Sequence, residues 1–200
     1  MTLLEQTETQ TLREDCTPVL ETERLVLRAP RHEDAKAIAA LINDRRIAEN
    51  TTRVPHPYSL ADAAEFIAAA NQRESEATFA ITTHDGDLLG MCGFDFRGDP
   101  APEIGYWLGL PYWGNGYATE AARAVIDYAF NDLGYDVLLA GARVTNPASR
   151  RVLEKCGFQW TGVGLYRIRA IASSAPIDRF RLDRGLWASL KSWQQVRRVS

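Results

Sequence analysis

The chain predicts an α+β domain: a mixed, mostly antiparallel sheet of about seven strands flanked by about four helices. Three observations carry that expectation. Ala118, Ala121, Ala122, Val125, Ile126, Ala129, Phe130 and Leu133 recur at helical spacing, with Gly134 placed as a left-handed C-cap. Thr78–Thr83 and Leu88–Phe96 are strand-like runs joined by His84-Asp85-Gly86-Asp87, which reads as a hairpin. Val137–Val144 is an almost continuous apolar run after the long helix, as expected of a parallel strand buried on both faces.

The remaining elements fall around these. Residues 1–20 are rich in Thr, Glu and Gln with little periodicity and read as a mobile leader. Residues 21–188 are expected to form one domain, and 189–200 a C-terminal tail. Leu25–Arg28 reads as a short half-buried strand. His32-Glu33-Asp34 places acidic residues before a helix carrying Ala35, Ile38, Ala39, Leu41 and Ile42. Arg45–Tyr58 reads as a loop, and Ser59 as the cap of a second helix with Asp62 at N3. Ile104–Leu108 is a strand. Pro147 starts a further helix that Gly157 ends. Phe158–Leu165 and Ile177–Leu182 are the last strands, with a polar loop between them.

Composition narrows the function classes. The 200 residues are 46% hydrophobic and 24% charged, ordinary for a globular domain, and the net charge of −3 gives no nucleic-acid footprint. No apolar run approaches a membrane span, and the N-terminus has no apolar signal core. Cys16, Cys92 and Cys156 are too scattered for metal-ligand spacing, so no metal is expected; reduced thiols in a cytoplasm are. Monomer and homodimer are equally compatible with the sequence.

The chemistry concentrates in Pro111-Tyr112-Trp113-Gly114-Asn115-Gly116-Tyr117-Ala118-Thr119-Glu120, between a strand and the start of the long helix. Such a link presents unpaired backbone N–H groups and the positive end of the helix dipole, an anion site. Glycine there keeps side chains out of the way of a phosphate. A P-loop is excluded because no lysine lies between Gly90 and Leu153. The dinucleotide fingerprint would need Gly or Ala where Thr119 stands. The loop therefore reads as a pyrophosphate cradle, with a purely structural turn as the alternative.

Three motifs in order add specificity: Glu103-Ile104-Gly105-Tyr106-Trp107-Leu108, then Trp113 to Ala121, then Asn146-Pro147-Ala148-Ser149-Arg150-Arg151-Val152-Leu153-Glu154-Lys155-Cys156-Gly157-Phe158. Together they closely resemble the GNAT superfamily of acetyl-CoA-dependent N-acetyltransferases, and most nearly its branch of ribosomal-protein N-terminal acetyltransferases. Thr22-Glu23-Arg24-Leu25-Val26-Leu27-Arg28 is similar to that branch's first strand. The resemblance implies that the Ile104 and Val137 strands splay into a V-shaped cleft. Acetyl-CoA, the acyl donor, would lie there with its pantetheine paired to the Ile104–Leu108 backbone.

The resemblance also implies residue roles. The backbone of Gly114, Asn115, Gly116, Tyr117, Ala118 and Thr119 would hold the pyrophosphate. Trp113 occupies the place where relatives carry Arg or Gln. An N–H near Leu108 would stabilise the oxyanion. Asn146 matches a position that hydrogen-bonds the pantetheine arm, and by its place before Pro147 it is equally an N-cap. Leu153 replaces the acid tyrosine of many relatives, and Ser149 matches the serine proposed to serve the leaving sulfur in the branch. A serine so early in a helix is equally compatible with a structural bond. Glu103 is the leading candidate base, ahead of Asp95, Glu49, His56 and His84. Of Arg150 and Arg151, at most one can point at a CoA phosphate. Arg45 and Arg46 read as a solvated pair, and the acceptor pocket is expected between the Arg45–Tyr58 and Val163–Ile177 loops.

Two function classes remain open on the sequence. One is an acetyltransferase acting on a primary amine, whether a protein N-terminus, a polyamine or an aminoglycoside-like amine. The other is an acyl-CoA-binding sensor without turnover.

Overall fold

The computed structural model describes residues 17–72, 77–96 and 101–196, with side chains to residue 193. The expected leader lies almost entirely outside them, as does Cys16. Eight strands form one sheet: β1 Leu20–Glu21, β2 Leu25–Arg28, β3 Ala77–Thr83, β4 Leu88–Asp95, β5 Glu103–Leu108, β6 Val137–Arg143, β7 Gln159–Ile168 and β8 Ser173–Asp183. Their order is β1-β2-β3-β4-β5-β6-β8-β7, and among the described residues only β5 and β6 pair in parallel. The α-helices are α1 Ala35–Ile42, α2 Arg45–Ala48, α3 Leu60–Gln72, α4 Tyr117–Asn131, α5 Pro147–Lys155 and α6 Arg184–Val196.

The helices divide between the two faces of the sheet because their apolar stripes differ in place. On one face, Ala121, Ala122, Val125, Ile126, Ala129 and Phe130 of α4 pack with Phe79, Ile104, Leu108, Leu138, Ala140 and Phe180. On the other, Ile38 and Ile42 of α1 and Ala63 and Ile67 of α3 close over Ala80, Leu88 and Met91. β4 lies beneath both layers and is buried along its whole length. Ser59 and Asp62 form the capping box expected at α3: Asp62 N–H donates to Ser59 Oγ at 3.1 Å and Ser59 N–H to Asp62 Oδ2 at 2.9 Å.

Several expectations are corrected. Strand β1 is added by two residues pairing with Val26 and Leu27. The short helix α2 interrupts the expected Arg45–Tyr58 loop, capped by Asp44, whose side chain accepts from Arg46 N–H. Residue 189, where a tail was expected, falls inside α6. That helix is tied to the core: Trp187 lies 5.2 Å from Phe130 between ring centroids, and its indole N–H donates to Asp127 at 2.8 Å.

The expected loop at Val163–Ile177 is mostly strand. β7 and β8 continue as a long hairpin that turns only at Arg169–Ala172, where Ala172 takes a positive φ of 51°. β6 is buried on one face only, with Leu138, Ala140 and Ala142 inside and Gly141 exposed. Leu139 and Gly141 on its other face line the cleft, so an apolar run that reads as doubly buried edges an opening instead. Leu133 lies beyond the end of α4 and is 40% exposed.

Candidate active site

Strands β5 and β6 pair only at Glu103 with Leu139 and at Ile104 with Ala140, then diverge. Along a strand, N–H and C=O groups point alternately to the two neighbours. Gly109 N–H donates to Leu89 of β4, whereas the Pro102 carbonyl accepts from Leu139 of β6. Even-numbered residues of β5 therefore turn their backbone toward β6. Past Ile104 the partner has gone, so the main-chain groups of Tyr106 and the N–H of Leu108 edge an open gap. An extended amide-bearing chain can add to such an edge as a strand would. The Leu108 carbonyl is occupied, accepting from Trp113 Nε1 at 2.8 Å. Trp113, 46% exposed, thus pins the loop to the end of β5 through its side chain.

The cradle stands at the same end of β5. Gly114 and Gly116 have φ of 79° and 82°, which a β-branched residue adopts only with strain. Gly116 is the N-cap of α4; Thr119 and Glu120 N–H bond back to its carbonyl, and the N–H groups of Tyr117 and Ala118 have no helical acceptor. A Cβ at Gly114 would meet nothing within 4 Å, so the loop there faces open space. Arg24 fixes this shape, a role the sequence reading did not assign. It donates to both carboxylate oxygens of Glu120, to the Asn115 carbonyl at 3.0 Å, and stacks 4.6 Å from the Tyr117 ring centroid. Burial alone would raise the Glu120 carboxyl, but hydrogen bonds from Thr22 and Arg24 outweigh it and hold it below its ordinary value. The glycine pair, the amide edge and the helix start together fit the pyrophosphate and pantetheine of acetyl-CoA.

On the far wall, Asn146 is the N-cap of α5, its Oδ1 accepting from Ser149 N–H at 3.1 Å. That cap uses only the side-chain oxygen, leaving the amide NH₂ donors on the cleft wall. Tyr106, on β5, reaches across: its hydroxyl lies 3.0 Å from Ser149 Oγ and 3.1 Å from the Ser149 carbonyl. Burial pushes the tyrosine well above its usual value, although the Ser149 hydrogen bond opposes this. Leu153 is only 1% exposed, within the core. Arg150 is held by Glu154 and Asp178, whereas Arg151 lines the cleft, so one arginine of the pair is available there.

Glu103 stands where the two strands part, half-buried, with its carboxylate against Gly141 of β6. Paired residues share a face, so Tyr106 and Ser149 lie on the α4–α5 side and Glu103 on the α1–α3 side. Among the other candidate bases, Asp95 sits directly opposite Glu103 on β4 but is buried in an ion pair with Arg53. Glu49 pairs with Arg45 at 2.5 Å, and Arg46 with Asp44 at 2.8 Å. His56 is exposed outside the cleft, and His84 lies beside the Thr22 carbonyl at 3.3 Å.

The cleft has a volume of about 1200 Å³ and continues past Glu103 to the α1–α3 face. Its far end is bridged where Arg169 N–H donates to the Thr52 carbonyl at 3.1 Å. Arg143 Nη1 donates to the Glu49 carbonyl at 2.8 Å, while its Nε is a buried donor without a partner among the described residues. Cys92 and Cys156 are free and buried. No group of metal-ligating side chains forms among the described residues, and no helix there is long and apolar enough to cross a membrane.

Residues 24–159 match the model of the acetyltransferase (GNAT) domain. The uncharacterized N-acetyltransferase YoaA of Bacillus subtilis is 33% identical over 154 residues, 73% of this chain and 85% of YoaA. YdaF of the same organism, named as a candidate ribosomal N-acetyltransferase, is 31% identical over 154 residues, 72% of this chain and 84% of YdaF. Among solved structures, the spermidine N-acetyltransferase of Vibrio cholerae in complex with CoA and spermine superposes with a TM-score of 0.71 at 21% identity, covering 84% of this chain and 99% of that one. The family model spans strand β2, the splayed pair, the glycine cradle and the Asn146 helix alike, and the chain therefore belongs to the GNAT family of acetyl-CoA-dependent acetyltransferases.

Proposed function

We propose that this acetyltransferase acts on the α-amine at the end of a peptide or protein chain, with Glu103 as its base and Ser149 serving the leaving sulfur. The observation that carries the reading is the arrangement across the gap: a carboxylate on one face, a hydroxyl on the other, and the unpaired edge of β5 between them. Acetyl-CoA laid along that edge presents its thioester where the strands part. The amine approaches from the α1–α3 face and gives a proton to Glu103, directly or through water. Its nitrogen attacks the thioester carbonyl carbon, and a main-chain N–H of the open β5 edge beside the parting strands supports the oxygen as charge builds there. The C–S bond then breaks, and Ser149 Oγ–H supplies the proton that the sulfur needs. The second proton that the nitrogen loses as the amide forms passes to solvent, from which the serine is resupplied.

The charges on the acceptor side favour a peptide end over a polyamine. Asp62, Glu65 and Glu103 suit one ammonium group, but Arg53, Arg143, Arg169 and Arg179 line the same end. A spermidine-like chain carries cations along its length and would meet those arginines unfavourably. A peptide terminus carries one cation followed by neutral carbonyl acceptors, which arginine donors can take. The Thr52–Arg169 bridge closes the far end, as suits a terminus rather than a chain passing through.

CoA release measured over a panel of amines tests this. Peptides with different first residues are expected to give the highest kcat/KM, and N-terminally blocked copies none. Turnover of polyamines or aminoglycosides with unblocked peptides inert would overturn the acceptor assignment.

A further inference from the structure

We propose that Tyr106 is a positioning residue that acts through Ser149, holding its hydroxyl and resupplying the proton given to sulfur. The inference rests on the reading of Ser149 as the donor to sulfur. A carbonyl only accepts, so the Tyr106 hydroxyl donates to the Ser149 carbonyl at 3.1 Å and leaves its own oxygen to accept from Ser149 Oγ–H at 3.0 Å. In that resting pattern the serine proton is engaged by Tyr106. The two acceptors are almost equidistant from the tyrosine oxygen, so a turn of its O–H toward Oγ frees the serine proton for sulfur.

The proton count closes. As the C–S bond breaks, the thiolate forms an S–H bond with the Ser149 proton, and Ser149 Oγ takes the proton of Tyr106. Water in the cleft reprotonates the phenolate, and the second proton that the nitrogen sheds as the amide forms replaces it in solvent. Burial keeps the tyrosine protonated beyond its usual range, so the relay stays loaded wherever amines are neutral. It also supplies a partner to a serine that alone is a poor acid.

The experiment is a double-mutant cycle with Tyr106→Phe, Ser149→Ala and the pair, reading kcat, KM for acetyl-CoA and melting temperature. Both single variants are expected to lose about tenfold or more in kcat with KM for acetyl-CoA nearly unchanged, and the double variant to be no slower than the slower single. If Ser149→Ala is slow and Tyr106→Phe is not, the relay is wrong and the Ser149 reading stands. If neither is slow, the Ser149 reading itself fails. Multiplying defects, or a Tyr106→Phe loss that follows melting temperature alone, would also overturn the relay by making Tyr106 independent or merely structural. A Tyr106→Phe defect far larger than that of Ser149→Ala would overturn the order of the relay.

Discussion

The two halves of the cleft are built from different materials. The half proposed for the donor is backbone: the open edge of β5, the two left-handed glycines and the first N–H groups of α4, with Arg24 and Trp113 holding that backbone in place. The half proposed for the acceptor is side chain: Glu103, the Asp95–Arg53 pair, Arg143 and Arg169, brought from β5, β4, β6, the α2–α3 loop and the β7–β8 turn. A backbone site binds what every relative must bind, and its geometry survives changes of side chain. A side-chain site can be rewritten residue by residue, as specificity requires. The two halves should therefore fail differently when altered.

The largest expected separation is at Glu103. Glu103→Gln is expected to cut kcat/KM by roughly 10²-fold or more, the usual scale of general-base help, while acetyl-CoA affinity holds. The defect should shrink as pH rises and the amine loses its proton unaided. Stopped-time acetylation assays across pH check it, and a variant as active as the parent at every pH would move the base to Asp95 or Glu49. Ser149→Ala comes next, at about tenfold in kcat with little change in KM for acetyl-CoA, the signature of a group used only in the transition state.

Smaller effects are expected where the donor half is braced from behind. Arg24→Ala removes the contacts to Glu120 and Asn115 and should weaken acetyl-CoA several-fold by loosening the cradle, about the 1 kcal/mol that a partly exposed ion pair contributes. Titrating acetyl-CoA into that variant checks it, and its kcat should stay near that of the parent. The smallest effect is in pH. The folded Glu120 carboxyl lies below its ordinary value of 4.5, so its stabilising contribution is complete above that value and fades as pH falls through the lowered one. Melting curves of the parent and Glu120→Gln should converge in acid and separate above about pH 4.5, the unfolded reference.

The same division explains what was legible in the sequence. Gly114, Gly116 and Gly134 announce backbone conformations, and φ of 79°, 82° and 72° confirm what their positions imply. Ser59, Asn146 and Pro147 likewise mark helix starts through local chemistry. The partnership of Tyr106 with Ser149 spans 43 residues and two elements, and nothing local encodes it. Arg24 reaches Glu120 across 96 residues, although its place in the Thr22–Arg28 stretch was the available signal. The β7–β8 hairpin was misjudged because Ser173, Ser174 and Pro176 read as loop while pairing with Ile168, Arg167 and Leu165 at the sheet edge.

Calorimetric titration of acetyl-CoA into Gly116→Val and Glu103→Gln, beside the parent, tests the division most directly. Valine at a φ of 82° must distort the start of α4, with its Cβ 3.5 Å from Arg24 Nη2, an ordinary contact. The expected result is a folded Gly116→Val protein with affinity reduced about tenfold or more, and a Glu103→Gln protein that binds as the parent does. Unchanged affinity in folded Gly116→Val, or an equal loss in both, would contradict a donor site made of backbone and an acceptor site made of side chains.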